Sequence, residues 1–145
     1  MLLNLKICKL YYACIAGNEV NMIVKMNNKE AEFYNYMGRI FGSRAIQNQT
    51  GDRIYDDDKK EWYIYLIDEK VVGFVSVNNN VIKNVYAIEA KYLEELLNKL
   101  NKENIISPSV VTKLYTEIYK ACGFVIDAEY YKNFVIISKK IEDKK

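Results

Sequence analysis

Residues 61–89 read as three apolar runs punctuated by two polar triplets: EWYIYLI, DEK, VVGFVSV, NNN and VIKNVYAIE. Runs this rich in β-branched and aromatic residues, separated by so few turn-forming ones, predict a meander of three antiparallel strands. EWYIYLI is apolar at odd and even positions alike, the pattern of a central strand covered on both faces. A chain committed to such a meander has to supply cover for two sheet faces, which points to an α+β layer arrangement.

The flanks supply that cover. Phe33, Tyr34, Met37, Ile40 and Phe41 recur at helical spacing, Gly42 and Ser43 offer a break, and a second short helix is predicted around residues 43–49. Leu93, Leu96, Leu97 and Leu100 make one face of a third helix. A short strand NII is expected next. A helix is then expected from Ser107 and Pro108, burying Val110, Val111, Leu114, Ile118 and Cys122 and ending at Gly123. FVI and NFVIISKKI close the chain as a hairpin. The predicted order is strand, two helices, three strands, helix, strand, helix, two strands: one α+β domain with a mixed, mostly antiparallel sheet flanked by helices. Residues 22–140 form that domain, residues 1–21 an extension or extra element, and residues 141–145 a charged tail. The N-terminal run MLLNLKICKLYYACIAGN is interrupted by Lys6 and Lys9 and falls short of the ~20 apolar residues that span a bilayer.

Composition narrows the function classes. Lys and Arg number 21 against 19 Asp and Glu, a net charge of +2, without the basic field of a dedicated nucleic-acid binder. Cys8, Cys14 and Cys122 form no CxxC pair, and histidine does not occur, so neither a disulfide framework nor a metal site is expected and a reducing cytoplasm fits. Any catalysis falls to Tyr, Cys, Lys, Asp or Glu. Consecutive acids such as those in DDDKKE (residues 56–61) fan out around a loop, so a solvated turn is expected there rather than an ion site. The 13 tyrosines exceed what a core this size needs and point to a protein partner. The wealth of Asn, Lys, Ile and Tyr suits an AT-rich coding sequence, as in a low-GC bacterium or its phages.

This order of elements, with VVGFVSV and above all LYTEIYKACGF (residues 114–124), resembles the GNAT superfamily of acetyl-CoA-dependent N-acetyltransferases over roughly residues 22–140. IYKACGF is similar to the family's helix-ending LYEKLGF stretch. The resemblance implies a proton-donating role toward the departing thiolate for Tyr119, a cofactor contact for Thr112 and a general base at Glu89. Tyr115 and Tyr119 also stand four apart, as a plain packing pair does.

One part of the family pattern is missing. Its glycine-rich R/Q-x-x-G-x-G/A loop, which lets backbone N–H groups reach the pyrophosphate, is replaced by AIEAKYLEE, and no glycine occurs between Gly73 and Gly123. Glu89, Glu94 and Glu95 are expected to crowd the helix start, each carboxylate favoured there by ~0.3–1 kcal/mol and repelling a diphosphate. The sequence therefore favours a GNAT-fold protein with a degenerate acetyl-CoA site and no cofactor. Such a protein acts as a binding or regulatory module, for instance a phage or mobile-element effector docking on a host protein. The alternative is a divergent N-acetyltransferase acting on a small amine or protein amino group, with Tyr119 as acid and Glu89 as base. A homo-oligomer stays open under both.

Overall fold

The computed structural model describes residues 10–16, 19–100 and 108–139. At its centre lies β3 (Glu61–Ile67), paired on one side with β2 (Glu19–Met26) and on the other with β4 (Lys70–Asn78). β5 (Val81–Ala87) follows β4, and β1 (Leu10–Ala16) closes the far edge, so the sheet runs β1-β2-β3-β4-β5 with every ladder antiparallel. The edge strand β1 falls within the segment read from the sequence as an extension or extra element. Both polar triplets make their turns with left-handed residue pairs: Asp68 and Glu69 at φ 49° and 65°, Asn79 and Asn80 at 57° and 65°. Two such residues give the type I′ twist that keeps hairpin strands together.

Side chains alternate across β3 and sort the core into two layers. Trp62, Ile64 and Leu66 face α1 (Phe33–Phe41) and α2 (Arg44–Thr50), which contribute Phe33, Met37 and Ile46. Tyr63 and Tyr65 face the other way, toward α3 (Ala90–Leu100), whose Leu93, Leu96, Leu97 and Leu100 are buried. Each leucine so covered contributes ~1.5–3 kcal/mol. Ser43 starts α2 by accepting the Ile46 N–H at 3.2 Å, and Gly51 ends it at φ 70°.

A second sheet has the order β6-β8-β7, from β6 (Ser109–Thr112), β7 (Phe124–Tyr130) and β8 (Phe134–Lys139). The helix expected from Pro108 onward begins later. Val110, Val111 and Thr112 are β-branched and extend as β6, which leaves Val110 and Leu114 exposed at 38% and 49% instead of buried. Thr112 then caps a 3-10 turn over Lys113–Tyr115 by accepting the Leu114 N–H at 3.4 Å, and only Thr116–Ala121 forms the helix α4. Gly123 follows it at φ 92°, the left-handed position the sequence assigned to it. The expected strand NII and the tail lie outside the described residues.

Candidate functional site

β5 has a full ladder with β4 on one side and none with β6 on the other. Two side chains join the strands instead. Near the start of β5, the Ile82 N–H donates to Ser109 Oγ at 2.9 Å. At its end, the Ala87 N–H donates to the Tyr115 hydroxyl at 3.2 Å, and that hydroxyl donates to the Ala87 carbonyl at 3.3 Å. Both links advance in the same chain direction, so β5 runs parallel to β6 and the 3-10 turn that follows it. One phenol thus satisfies the donor and acceptor that a neighbouring strand would otherwise use. Burial pushes the Tyr115 hydroxyl above the ordinary phenol range, against the Ala87 hydrogen bond, which pulls it down.

Tyr119, one turn further along, is fully buried and donates to the Thr112 carbonyl at 2.7 Å. Burial, then the neighbouring Tyr115 and Asp52, push its hydroxyl well above the phenol range, so it keeps its proton at neutral pH. The Thr112 hydroxyl donates to the Thr50 carbonyl and so ties β6 to the end of α2. Glu89 immediately precedes α3, with its side chain 58% exposed and 4.0 Å from the Lys91 ammonium. Tyr119 and Thr112 therefore meet inside the seam, whereas Glu89 stands at its outer end.

The first turn of α3 contains no acidic residue, contrary to the crowding expected from the sequence. The helix starts at Ala90, which puts Glu94 and Glu95 in its second turn, and Glu95 accepts the Tyr65 hydroxyl at 2.9 Å. Of the three carboxylates only Glu89 lies at the positive end of the helix, and the N–H groups of the first turn lack intrahelical partners, as at any helix start.

A buried polar cluster on the α1/α2 face of β5 carried no signal in the sequence. Asn84, 3% exposed, accepts at Oδ1 from Lys60 Nζ (2.9 Å) and Ser76 Oγ (2.7 Å), and donates from Nδ2 to Asp52 at 3.0 Å. The two donors at Oδ1 fix the orientation of the amide. Lys60 also donates to the Tyr55 carbonyl at 2.7 Å and lies 3.8 Å from the centre of the Tyr55 ring. Burial pushes Asp52 above the usual aspartate range, and the Asn84 hydrogen bond and the Lys60 charge oppose that shift. Thr50 and Gly51, which precede Asp52 in the chain, line a cleft of about 280 Å³ together with Asn48, Gln49, Lys113, Leu114 and Asn133.

Other candidates have structural roles. Asp56 accepts Trp62 Nε1 at 2.9 Å and the Tyr34 hydroxyl at 3.3 Å, while Asp57 turns back on the Lys59 N–H at 2.9 Å, so the acidic run holds its own loop. Burial pushes the Cys122 thiol up to about 11, which removes it as a nucleophile at neutral pH. Among the described residues no group of His, Cys, Asp and Glu could hold a metal ion, and no helix is long and apolar enough to cross a membrane.

No family model and no curated protein matches the sequence. Solved structures do match its shape. ElaA of Escherichia coli superposes with a TM-score of 0.56 at 10% identity, over 81% of this chain and 99% of that one. The Campylobacter jejuni N-acetyltransferase PseH gives 0.50 at 15% identity, over 82% and 99%. The fold is that of the GNAT N-acetyltransferases. The two sheets part between β5 and β6, and Tyr115, Tyr119 and Thr112 lie along that seam.

Proposed function

We propose that this chain is an N-acyltransferase that takes its acyl group from acetyl-CoA, with the β5–β6 seam as the slot for the thioester arm. The observation that carries this reading is the donor–acceptor pair of Ala87, held by a single hydroxyl where a strand would make a ladder. An extended amide-bearing arm can take over both bonds, and because an intramolecular hydrogen bond nets ~0.5–1.5 kcal/mol, displacing the Tyr115 hydroxyl costs little. The GNAT fold supports the same reading, as does the first turn of α3, free of acidic side chains, with Lys91 beside it.

The residues fit the cofactor in part. Ala87 offers backbone partners to the arm, and the N–H groups at the start of α3 with Lys91 offer the diphosphate its only cationic surroundings on that helix turn, without the usual glycines. Bound there, acetyl-CoA would supply a thioester carbonyl for an amine to attack. The chain's own residues would do the rest. Tyr119, still protonated at neutral pH, would give its proton to a departing thiolate, and Thr112 holds that hydroxyl in place through its carbonyl. Burial of both tyrosines excludes water from the reacting end of the slot.

A binding module without catalysis is the second reading. It is favoured by Tyr115 already closing the slot and by the exposed Tyr34, Tyr55, Tyr130 and Tyr131, rings suited to a protein partner. Thermal melting with acetyl-CoA separates the two. At about 100 times its dissociation constant a ligand adds ~2.7 kcal/mol, a shift of several degrees in a domain this size. The transferase reading expects that saturable shift. An unchanged melting temperature at millimolar acetyl-CoA sinks it and leaves the binding module.

A further inference from the structure

We propose that Asp52 is the base that takes the proton from the acceptor amine, that Asn84 positions it, and that the cleft lined by the preceding Thr50 and Gly51 holds the acceptor; this rests on the transferase reading. Three observations place Asp52 there. Its backbone N–H donates to the Thr50 hydroxyl at 3.2 Å, and the Thr50 carbonyl accepts from Thr112, so the segment that carries Asp52 is pinned to β6. Its carboxylate receives Asn84 Nδ2 from the middle of β5, three residues before the Ala87 pair that marks the slot. The same Thr112 that bonds the Thr50 carbonyl accepts the Tyr119 hydroxyl at its own carbonyl, so one β6 residue ties the Asp52 segment to the proton donor. Glu89, by contrast, faces solvent beside Lys91.

The network behind Asp52 suits a base. Lys60 and Ser76 both donate to Asn84 Oδ1, which leaves Nδ2 as the only end that can meet Asp52 and keeps one carboxylate oxygen oriented. Lys60 is held 3% exposed, with its charge spread over the Tyr55 carbonyl and ring, so it steadies the network without forming a direct pair with Asp52. The charged and titratable groups that act on the site are Asp52, Lys60 with Asp56, Asp57 and Lys83 around it, and the two phenols Tyr115 and Tyr119. The cleft walls carry three carboxamides and Lys113, which match a small amine bearing a carboxylate or amide at its far end.

The step balances as follows. The ammonium of the acceptor gives one proton to the Asp52 carboxylate, and the neutral nitrogen forms a C–N bond with the thioester carbonyl carbon as the C–S bond breaks. Tyr119 gives its proton to the departing sulfur, and the second proton of the nitrogen passes to the Tyr119 phenolate, which restores the phenol. The products are the N-acyl amine and the free thiol, and the proton on Asp52 returns to solvent.

The test uses the full chain with acetyl-CoA and two nucleophiles at neutral pH: glycine, whose amine is protonated, and hydroxylamine, which is already neutral. Asp52→Asn is expected to lower kcat for glycine by about 100-fold, to slow hydroxylamine acylation far less, and to keep the acetyl-CoA melting shift. Asn84→Ala is expected to lower kcat for glycine with KM unchanged. Carboxyl-detected NMR supplies a readout without turnover: Asp52 should titrate above ordinary aspartates in the free protein, and higher still in Asn84→Ala, which loses the hydrogen bond that holds it down. Should Asp52→Asn keep full glycine activity in a protein that binds acetyl-CoA, or should Asp52 titrate as a surface aspartate, the proposal is overturned and the transferase reading stands. If the wild type binds acetyl-CoA and acylates neither nucleophile, both fall. Failure to bind acetyl-CoA at all removes the transferase reading first, and the base with it.

Discussion

The two sides of β5 are built differently. Toward β4 its backbone is laced into a ladder over Gly73–Ala87, Phe74–Tyr86 and Val75–Val85, so close that a side chain at Gly73 would lie 3.0 Å from the Tyr86 carbonyl oxygen. On the other side no ladder forms among the described residues, and the hydroxyls of Ser109 on β6 and Tyr115 in the 3-10 turn reach across to its backbone. A ladder comes apart only by unfolding, because each of its bonds is cooperative with the next and with the packing beneath. A hydroxyl bridge opens when one side chain turns. The same strand thus belongs to the permanent core along one edge and offers an exchangeable edge along the other. Function is assigned here to the exchangeable one.

Substitutions on each side break the comparison in different ways. The largest effect is expected from Gly73→Val, which forces a branched side chain against the Tyr86 carbonyl and Ala87 and should cost about 1–3 kcal/mol by chemical denaturation. No loss there would mean that the ladder side is as loose as the seam. Ser109→Ala removes the partner of the buried Ile82 N–H, and about 1–2 kcal/mol is expected to go with it.

Tyr115→Phe should have a smaller effect on folding, ~1 kcal/mol or less, because the ring stays and only the bridge goes. Its effect on ligand has the opposite sign. Ala87 no longer has a hydroxyl to give up, so acetyl-CoA should bind about fivefold tighter by calorimetry, as ~1 kcal/mol of competition disappears. Weaker binding would show that the hydroxyl helps to hold the ligand.

The effect of Tyr119→Phe is expected to change with pH. The folded-state pKa of Tyr119 is raised above 10.0, so the native chain holds that proton longer than the unfolded one does. Its contribution is fully present below pH 10 and lost as pH rises through the folded value. Tyr119→Phe should therefore lose about 1 kcal/mol at pH 7, the share of its buried bond to the Thr112 carbonyl, and lose less further stability than the wild type above pH 10. An identical pH dependence above pH 10 would place the phenol in contact with water.

Much of the fold was legible because its signals are local. The strands β3 to β5 announce themselves through β-branched and aromatic runs, and Asn79–Asn80 tolerates the left-handed turn that joins two of them. α1 and α2 follow from apolar spacing and from Ser43 as a cap. The segment after Pro108 misled because a Ser-Pro start and a distant glycine frame a helix, while three β-branched residues between them favour a strand packed on β8. The candidate site was legible only in its tyrosines. That Tyr115 reaches back to Ala87, 28 residues earlier, is a tertiary fact with no local trace. Asp52 sits in a Gly-Asp-Arg loop that reads as a plain turn, and its burial comes from Asn84 on another strand. The crowding expected from Glu94 and Glu95 failed on register, since a helix that starts at Ala90 carries both into its second turn.

The central claim is that Ala87 lends its backbone edge to Tyr115 and gives it up to an acyl-thioester arm. The most direct measurement is the amide resonance of Ala87 in the ¹⁵N-labelled protein during titration with acetyl-CoA. A saturable shift of Ala87, accompanied by Ile88 and Lys91 and with the ladder amide of Tyr86, which points toward β4, much less moved, is the result expected. An Ala87 resonance that stays in place at millimolar acetyl-CoA would contradict the claim.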